Sequence, residues 1–137
     1  MSKKTGPIVL AFVLFTTAAS AAEWVDIAKG DDGNRYSLDP RSVIRDRDTV
    51  TAVIRNEYAT PRTDEKTGKN VFASLDRMVV NCETVSFALQ SRAYVAADGS
   101  EYTVLAASRD ELSLRPAAKG SLSETIVRSV CRAAAGK

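Results

Sequence analysis

Residues 49–58 read TVTAVIRNEY and alternate between apolar and polar side chains. In an extended chain, one face of this stretch carries Val50, Ala52, Ile54, Asn56 and Tyr58. A period of two with several β-branched residues is typical of a half-buried strand. The stretch therefore predicts a strand in a sheet that buries one face.

Five further segments, on both sides of this strand, are predicted to join the same sheet. They are residues 24–28, 35–38, 71–82, 86–95 and 101–107. The turn sequences at 31–34 and 98–99 connect neighbouring strands, which therefore pair as antiparallel hairpins. In the fifth strand, one face is expected to carry Phe87, Leu89, Ala93 and Val95. In the last strand, Tyr102, Val104 and Ala106 are expected to share one face.

The last segment of the chain changes to a helical period. Ser121 and Glu124 have the spacing of a capping box, which opens a helix. Apolar residues then recur along one stripe at Leu122, Ile126, Val127, Val130, Cys131 and Ala134. One apolar stripe predicts a helix that packs on the sheet and ends near Gly136.

The chain contains two cysteines, Cys82 and Cys131. Cys82 shares the parity of Met78 and Val80, and Cys131 lies on the apolar stripe of the helix. In an oxidising compartment an even pair of cysteines predicts a disulfide, with two free buried thiols as the alternative. The predicted fold class is α+β: one antiparallel sheet of about six strands, with a C-terminal helix packed on it and tethered by the disulfide.

The N-terminal residues have the pattern of a cleavable signal peptide. Lys3 and Lys4 precede an apolar stretch at residues 7–18, and small residues follow at 19–22. The apolar stretch is shorter than the roughly 20 residues of a membrane-spanning helix. We expect cleavage after Ala21 or Ala22, a mature domain of residues 23–137, and no lipid anchor, because no cysteine lies near either site.

Charge and residue types exclude several classes of function. Without Lys3 and Lys4, 17 basic residues balance the 17 acidic ones, which argues against binding a nucleic-acid backbone. The chain has no histidine, so the usual general base is absent and two distant thiols cannot complete a zinc site. We therefore expect no enzyme activity, no metal and no cofactor.

The segment at residues 60–70, TPRTDEKTGKN, is a predicted loop between two strong strands. Loops on rigid sheets often carry binding residues, although an ordinary solvated connector is the simpler interpretation. The candidate binding residues are Arg62, Asp64, Glu65, Lys66 and Lys69.

The order of features resembles the surface-adhesin protein E family of Gram-negative bacteria. The matching features are Trp24, the segment at 36–39 with Ser42 and Ile44 after it, Glu57 and Tyr58, Ser74 in the strand that leads to Cys82, Tyr94, Asp98 and Gly99, Pro116, and Cys131 in the final helix. The resemblance implies a single antiparallel sheet with a disulfide-tethered helix, a surface or periplasmic location, and adhesion.

From these features we expect an exported, non-catalytic binding protein, whether periplasmic, secreted or at the cell surface. Its partner would be a protein or an envelope component, bound through a sheet face or edge and the loop at 60–70. The alternative is a structural or assembly protein of the envelope that forms a small homodimer through strand edges.

Overall fold

The computed structural model describes residues 23–137 and Gly6, so the predicted signal peptide otherwise lies outside the described residues. The described chain forms eight strands and one α-helix. The strands are β1 (Val25–Lys29), β2 (Arg35–Leu38), β3 (Ile44–Asp46), β4 (Thr49–Thr63), β5 (Asn70–Asn81), β6 (Ser86–Ala96), β7 (Glu101–Ala106) and β8 (Arg115–Pro116). The helix, α1, spans Leu122–Ala135.

All eight strands belong to one antiparallel sheet, which confirms the predicted fold class. The main path runs β1-β2-β4-β5-β6-β7, so β1 and β7 are its edge strands. The predicted count of about six strands corresponds to this path. β3 pairs with β4 and β8 pairs with β6, and these two strands were missed. With three and two residues, they are too short for an alternating pattern to show.

The predicted loop at residues 60–70 is shorter than expected, because β4 continues through Thr63. An irregularity between Glu57 and Arg62 interrupts the pairing, which then resumes where Arg62 and Thr63 lie opposite Val71 and Asn70. Pro61 lies within this interruption, where its missing N–H costs the sheet no hydrogen bond. The connection between β4 and β5 is therefore only residues 64–69.

A bulge at Gln90 divides β6 into two parts that present opposite faces, so the predicted single face of this strand is wrong. Arg77 lies opposite Ser91 while Met78 lies opposite Leu89, so one residue of β6 is extra. An extra residue exchanges the faces of everything beyond it. Phe87 and Leu89 therefore do not share a face with Ala93 and Val95. A second register shift, between Arg92 and Ala93, gives β7 one extra residue in the same way. Tyr102, Val104 and Ala106 therefore do not share one face, contrary to the prediction.

The helix packs across one face of the sheet, and the core lies between them. This core contains Val50, Ala52, Ile54, Met78 and Val80 from the sheet, with Ile126, Val127 and Val130 from the helix. The capping box forms in part: the Ser121 hydroxyl accepts from Glu124 N, but the Glu124 carboxylate accepts from Gly120 N instead of Ser121 N. The predicted disulfide is present, joining Cys82 to Cys131 across a Cα–Cα distance of 5.8 Å.

Candidate functional site

A row of five side chains runs across five strands on the face of the sheet that carries the helix. The register places Tyr36, Asn56, Ser74, Tyr94 and Tyr102 opposite one another on β2, β4, β5, β6 and β7. Residues directly opposite in neighbouring strands point to the same face and interact. Tyr36 packs against the hydrophobic core under the helix. Asn56 and Ser74 are buried at the centre of the row, whereas Tyr94 and Tyr102 are half-buried and contribute surface on this face.

Tyr58 extends this surface and brings all four tyrosines of the chain to one face. It follows Asn56 by two residues, so strand alternation points it the same way. The guanidinium of Arg62 lies 4.5 Å from the centroid of the Tyr58 ring. We call the set Tyr36, Asn56, Tyr58, Ser74, Tyr94 and Tyr102 the tyrosine face.

Tyr94 and Tyr102 form an aromatic corner at the β7 end of the tyrosine face. Their ring centroids are 5.9 Å apart and the rings stand at 88° to each other. This edge-to-face arrangement is the favoured one for aromatic pairs. It holds both rings in place on the sheet without the helix.

A half-buried ion pair lies in the next row of the same face. The guanidinium of Arg92 donates to both carboxylate oxygens of Asp76, at 2.7 and 2.8 Å. Asp76 is 8% exposed. The bonds to Asp76 raise the pKa of Arg92, which keeps the guanidinium group ionised.

Asn56 and Ser74 are buried next to each other, and each has a side-chain oxygen without a hydrogen-bond partner among the described residues. Asn56 is 9% exposed and Ser74 is 0% exposed. Within the described chain, neither Asn56 Oδ1 nor Ser74 Oγ has a hydrogen-bond partner. Buried polar atoms are nearly always paired, because leaving one unpaired costs free energy. The centre of the tyrosine face therefore contains two buried oxygen atoms that form no hydrogen bond with the described residues.

The candidate loop residues lie at the same end of the molecule as the tyrosine face. Asp64 Oδ2 accepts from the Tyr102 hydroxyl at 2.7 Å, and Oδ1 accepts from Lys66 N at 3.1 Å. The bond from Tyr102, more than any other contact, lowers the pKa of Asp64. Lys69 Nζ donates to Ser100 Oγ at 3.4 Å. The segment at 64–69, which we call the charged turn, is thus docked on β7.

The structure separates the five predicted loop residues into two groups. Arg62, Asp64 and Lys69 contact tyrosines; the Lys69 ammonium lies 5.4 Å from the Tyr102 ring centroid. Glu65 and Lys66 are exposed at the turn. Sequence reasoning did not predict the tyrosine face, because which side chains meet across strands depends on the register between them. One feature of the sequence could have indicated it: Asn56 is a polar residue on the otherwise apolar face of the strand at 49–58.

Part of the opposite face of the sheet is covered by the chain's own side chains. Arg55 pairs with Glu57 at 3.3 Å, and its guanidinium lies 5.9 Å from the Trp24 ring centroid, although its Nε has no hydrogen-bond partner among the described residues. Arg109 donates to the hydroxyls of Thr49 and Thr51. The helix-bearing face differs in carrying the four tyrosines, and it is the candidate face for an external partner.

Among the described residues, no group of three or more His, Cys, Asp or Glu side chains could hold a metal ion. In the same part of the chain, no helix is long and apolar enough to cross a membrane. The site thus consists of aromatic rings, an ion pair, unpartnered polar atoms and a docked turn.

The family model for surface-adhesin protein E matches residues 24–132, which include the whole sheet and most of the helix. The chain belongs to the surface-adhesin protein E family. This membership confirms the resemblance in the sequence and indicates an adhesin-like protein. No curated protein and no solved structure matches the chain.

Proposed function

We propose that this member of the surface-adhesin protein E family is an exported, non-catalytic binding protein. Its partner is a protein or an envelope component, captured by the tyrosine face together with the charged turn. The observation that carries this proposal is the gathering of all four tyrosines on one face, beside a docked turn of charged residues. Tyrosine and arginine are the residues that contribute most to binding surfaces, because each offers a large apolar area and a polar end.

The state of two carboxylates at the candidate site, Asp64 and Asp76, supports a non-catalytic role for these two groups. Asp76 is held by Arg92 through two hydrogen bonds, and the pKa of Asp64 is lowered by Tyr102. A general base works best when its pKa is near the operating pH, so a carboxylate with a lowered pKa is a poor one. Both groups fit a role in holding the surface in shape.

The location we propose is outside the cytoplasm: periplasmic, secreted or at the cell surface. The signal-peptide pattern of residues 1–22 supports export, and a disulfide between Cys82 and Cys131 fits an oxidising compartment. We propose that the mature protein carries no lipid anchor.

The decisive variant removes charges from the surface, including Arg62 on the Tyr58 ring, while keeping the contacts of Asp64 and Lys69 with Tyr102. Arg62→Ala, Glu65→Ser and Lys66→Ser are combined, and Asp64 is left in place because it holds the turn on Tyr102. The altered residues are exposed, so stability should change by less than about 0.5 kcal/mol per substitution. Capture of partners from envelope and host extracts should fall, since charged groups at a binding surface determine specificity and association rate.

The matched control is Glu83→Ser with Lys119→Ser, which removes one charge of each sign from exposed positions outside the candidate site. Capture should be unchanged in this variant. Equal capture by the triple variant, the control and the unaltered protein would contradict a role for the charged turn.

The second candidate function is assembly into a small homodimer through strand edges. The observation that favours it is at β7, an edge strand on which Val104 is 40% and Leu105 is 45% exposed. An edge strand presents unpaired N–H and C=O groups, and here charged residues guard it poorly. In this alternative, purification yields the protein with itself and no stoichiometric foreign partner.

A further inference from the structure

A groove of about 290 Å³ lies directly beside the disulfide that ties the helix to the sheet. Both cysteines of the bridge, Cys82 and Cys131, line this groove, and each is only half-buried. The other lining residues are Val85, Val127, Arg128, Arg132 and Ala135. An exposed disulfide exchanges with thiols more readily than a sealed one, so a bridge that forms the wall of a groove is open to attack.

One apolar wall of the groove has an unusual backbone conformation. Val85 has a φ of 50°, in the left-handed region that β-branched residues rarely adopt. The hairpin around it is fixed by Asn81 Oδ1, which accepts from the N–H groups of Glu83 and Thr84 at 2.9 and 3.1 Å. Ala117 N donates to the Val85 carbonyl at 2.9 Å. Strained residues that their surroundings hold in place cluster at functional sites, which supports a site at this wall.

The charges of the groove favour an anionic reactant. Arg128 and Arg132 line it, and none of the described residues that line it is acidic. Arg128 forms an ion pair with Glu124 at 3.7 Å, but its side chain is still 55% exposed. Arg132 donates to the hydroxyl of Ser129, a neutral group, at 3.1 Å. An anion that enters the groove therefore meets two guanidinium groups.

We propose that the groove admits a small thiol with an anionic group, and that this thiol exchanges with the Cys82–Cys131 disulfide of the folded protein. The volume of the groove is at the small end for ligand pockets, which suits a small molecule. The inference goes beyond the proposed function and does not rest on it, because it concerns the tether of the helix and not the tyrosine face.

The reaction replaces one S–S bond by another. The incoming thiolate forms a bond to Cys82 Sγ, the Cys82–Cys131 bond breaks, and Cys131 leaves with the electron pair as a thiolate. Arg128 and Arg132 are close to Cys131 in the helix, and positive groups favour a leaving thiolate. A second thiolate then attacks the adduct and releases Cys82. In total, two thiols are oxidised to one disulfide, and the bridge of the protein is reduced to two thiols.

The test measures exchange in the purified exported protein with three thiols of similar size: mercaptoethanesulfonate, which is anionic, mercaptoethanol, which is neutral, and cysteamine, which is cationic. Samples are quenched with an alkylating agent, and mass spectrometry counts the adducts and locates them. Each rate constant is divided by that of the same thiol with a small uncharged disulfide, which removes differences in intrinsic reactivity. The anionic thiol should react about fivefold faster than the neutral one on this scale, with the cationic thiol slowest. The first adduct should lie on Cys82.

A double variant tests the two guanidinium groups. In Arg128→Gln with Arg132→Gln, the ratio of the anionic to the neutral rate constant should fall from about five to about one. High salt should lower the ratio in the unaltered protein in the same direction, because it screens exposed charges. Arg77→Gln with Lys119→Gln is the matched control. It removes two positive charges from exposed positions outside the groove, and the ratio should be unchanged.

Urea distinguishes exchange in the folded protein from exchange after unfolding. At low urea concentrations the rate of exchange through the groove should stay nearly constant, whereas exchange after global unfolding accelerates with the unfolding equilibrium constant. Four outcomes would overturn the proposal: a bridge that resists all three thiols, equal scaled rates for the three, an unchanged ratio in the double variant, or a rate that follows global unfolding in urea. None of these outcomes bears on partner capture, so the proposed function is tested separately.

Discussion

The hydroxyl of Tyr102 donates a hydrogen bond of 2.7 Å to the carboxylate of Asp64, although 38 positions separate the two residues. Tyr102 lies on the edge strand β7 and Asp64 at the start of the charged turn after β4. The contact spans β5 and β6, which lie between these strands in the sheet. It is one of the contacts that join the candidate loop to the tyrosine face, beside those of Lys69 and Thr67 with Tyr102.

Tyr102→Phe removes this link while keeping the aromatic ring. The pKa of Asp64 is lowered chiefly by Tyr102, so in the variant it should rise towards its ordinary value. A lowered carboxyl pKa in the folded protein contributes stability above the unfolded pKa, and that contribution disappears as pH falls through the folded pKa. The variant should therefore be less stable than the unaltered protein at neutral pH and equal to it in acid.

Carbon-detected NMR titration of the Asp64 carboxyl group measures the pKa shift, and thermal melts at both pH values measure its effect. Tyr58→Phe is the control, because Tyr58 contacts Arg62 and not Asp64. An unchanged Asp64 pKa in Tyr102→Phe would show that the bond does not hold the turn in solution.

Replacing both Cys82 and Cys131 by serine should lower the free energy of unfolding by about 2–5 kcal/mol. The bridge closes a sequence separation of 49 residues, which restricts the unfolded chain and ties the helix to the sheet. Denaturant unfolding measures the change, and the unaltered protein in reductant should reproduce it. Two titratable thiols in the unfolded, unreduced protein would show that no bridge forms.

Val104→Lys tests assembly through the β7 edge. If the edge pairs with a second copy, the unaltered protein should dimerise at high micromolar concentration and the variant should not, because a lysine on an edge strand opposes pairing. Sedimentation equilibrium measures both. Ser113→Lys is the control, since it adds the same charge at an exposed position outside the strands. A monomer at every concentration would exclude the assembly function.

Export predicts a defined mature N-terminus. The intact mass of the exported protein should correspond to a chain that begins at Ala22 or Glu23, because small residues occupy the positions that signal peptidase requires. Substituting all four small residues at 19–22 by bulky residues should remove both cleavage sites, block processing and leave the longer species. A purified exported protein that retains Met1 would contradict cleavage.

Local patterns were enough to predict most of the elements. The alternation of Val50, Ala52 and Ile54 indicated β4, and the stripe around Ile126 indicated the helix. The shared parity of Cys82, Met78 and Val80 pointed the cysteine at the helix side, where the bridge to Cys131 forms. Alternation and helical stripes are properties of neighbouring residues, so they can be read without knowing the partner strands.

Only the tertiary structure decided which side chains meet on the tyrosine face. The extra residue at Gln90 turns Arg92 and Tyr94 to the helix side, and the interruption between Glu57 and Arg62 brings the charged turn close to Tyr102. Each depends on register between strands, and a single inserted residue reverses every side chain beyond it. Composition and periodicity thus determined the sheet, the helix and their tether, whereas long-range pairing determined the surface, because register is a relation between strands that no single segment contains.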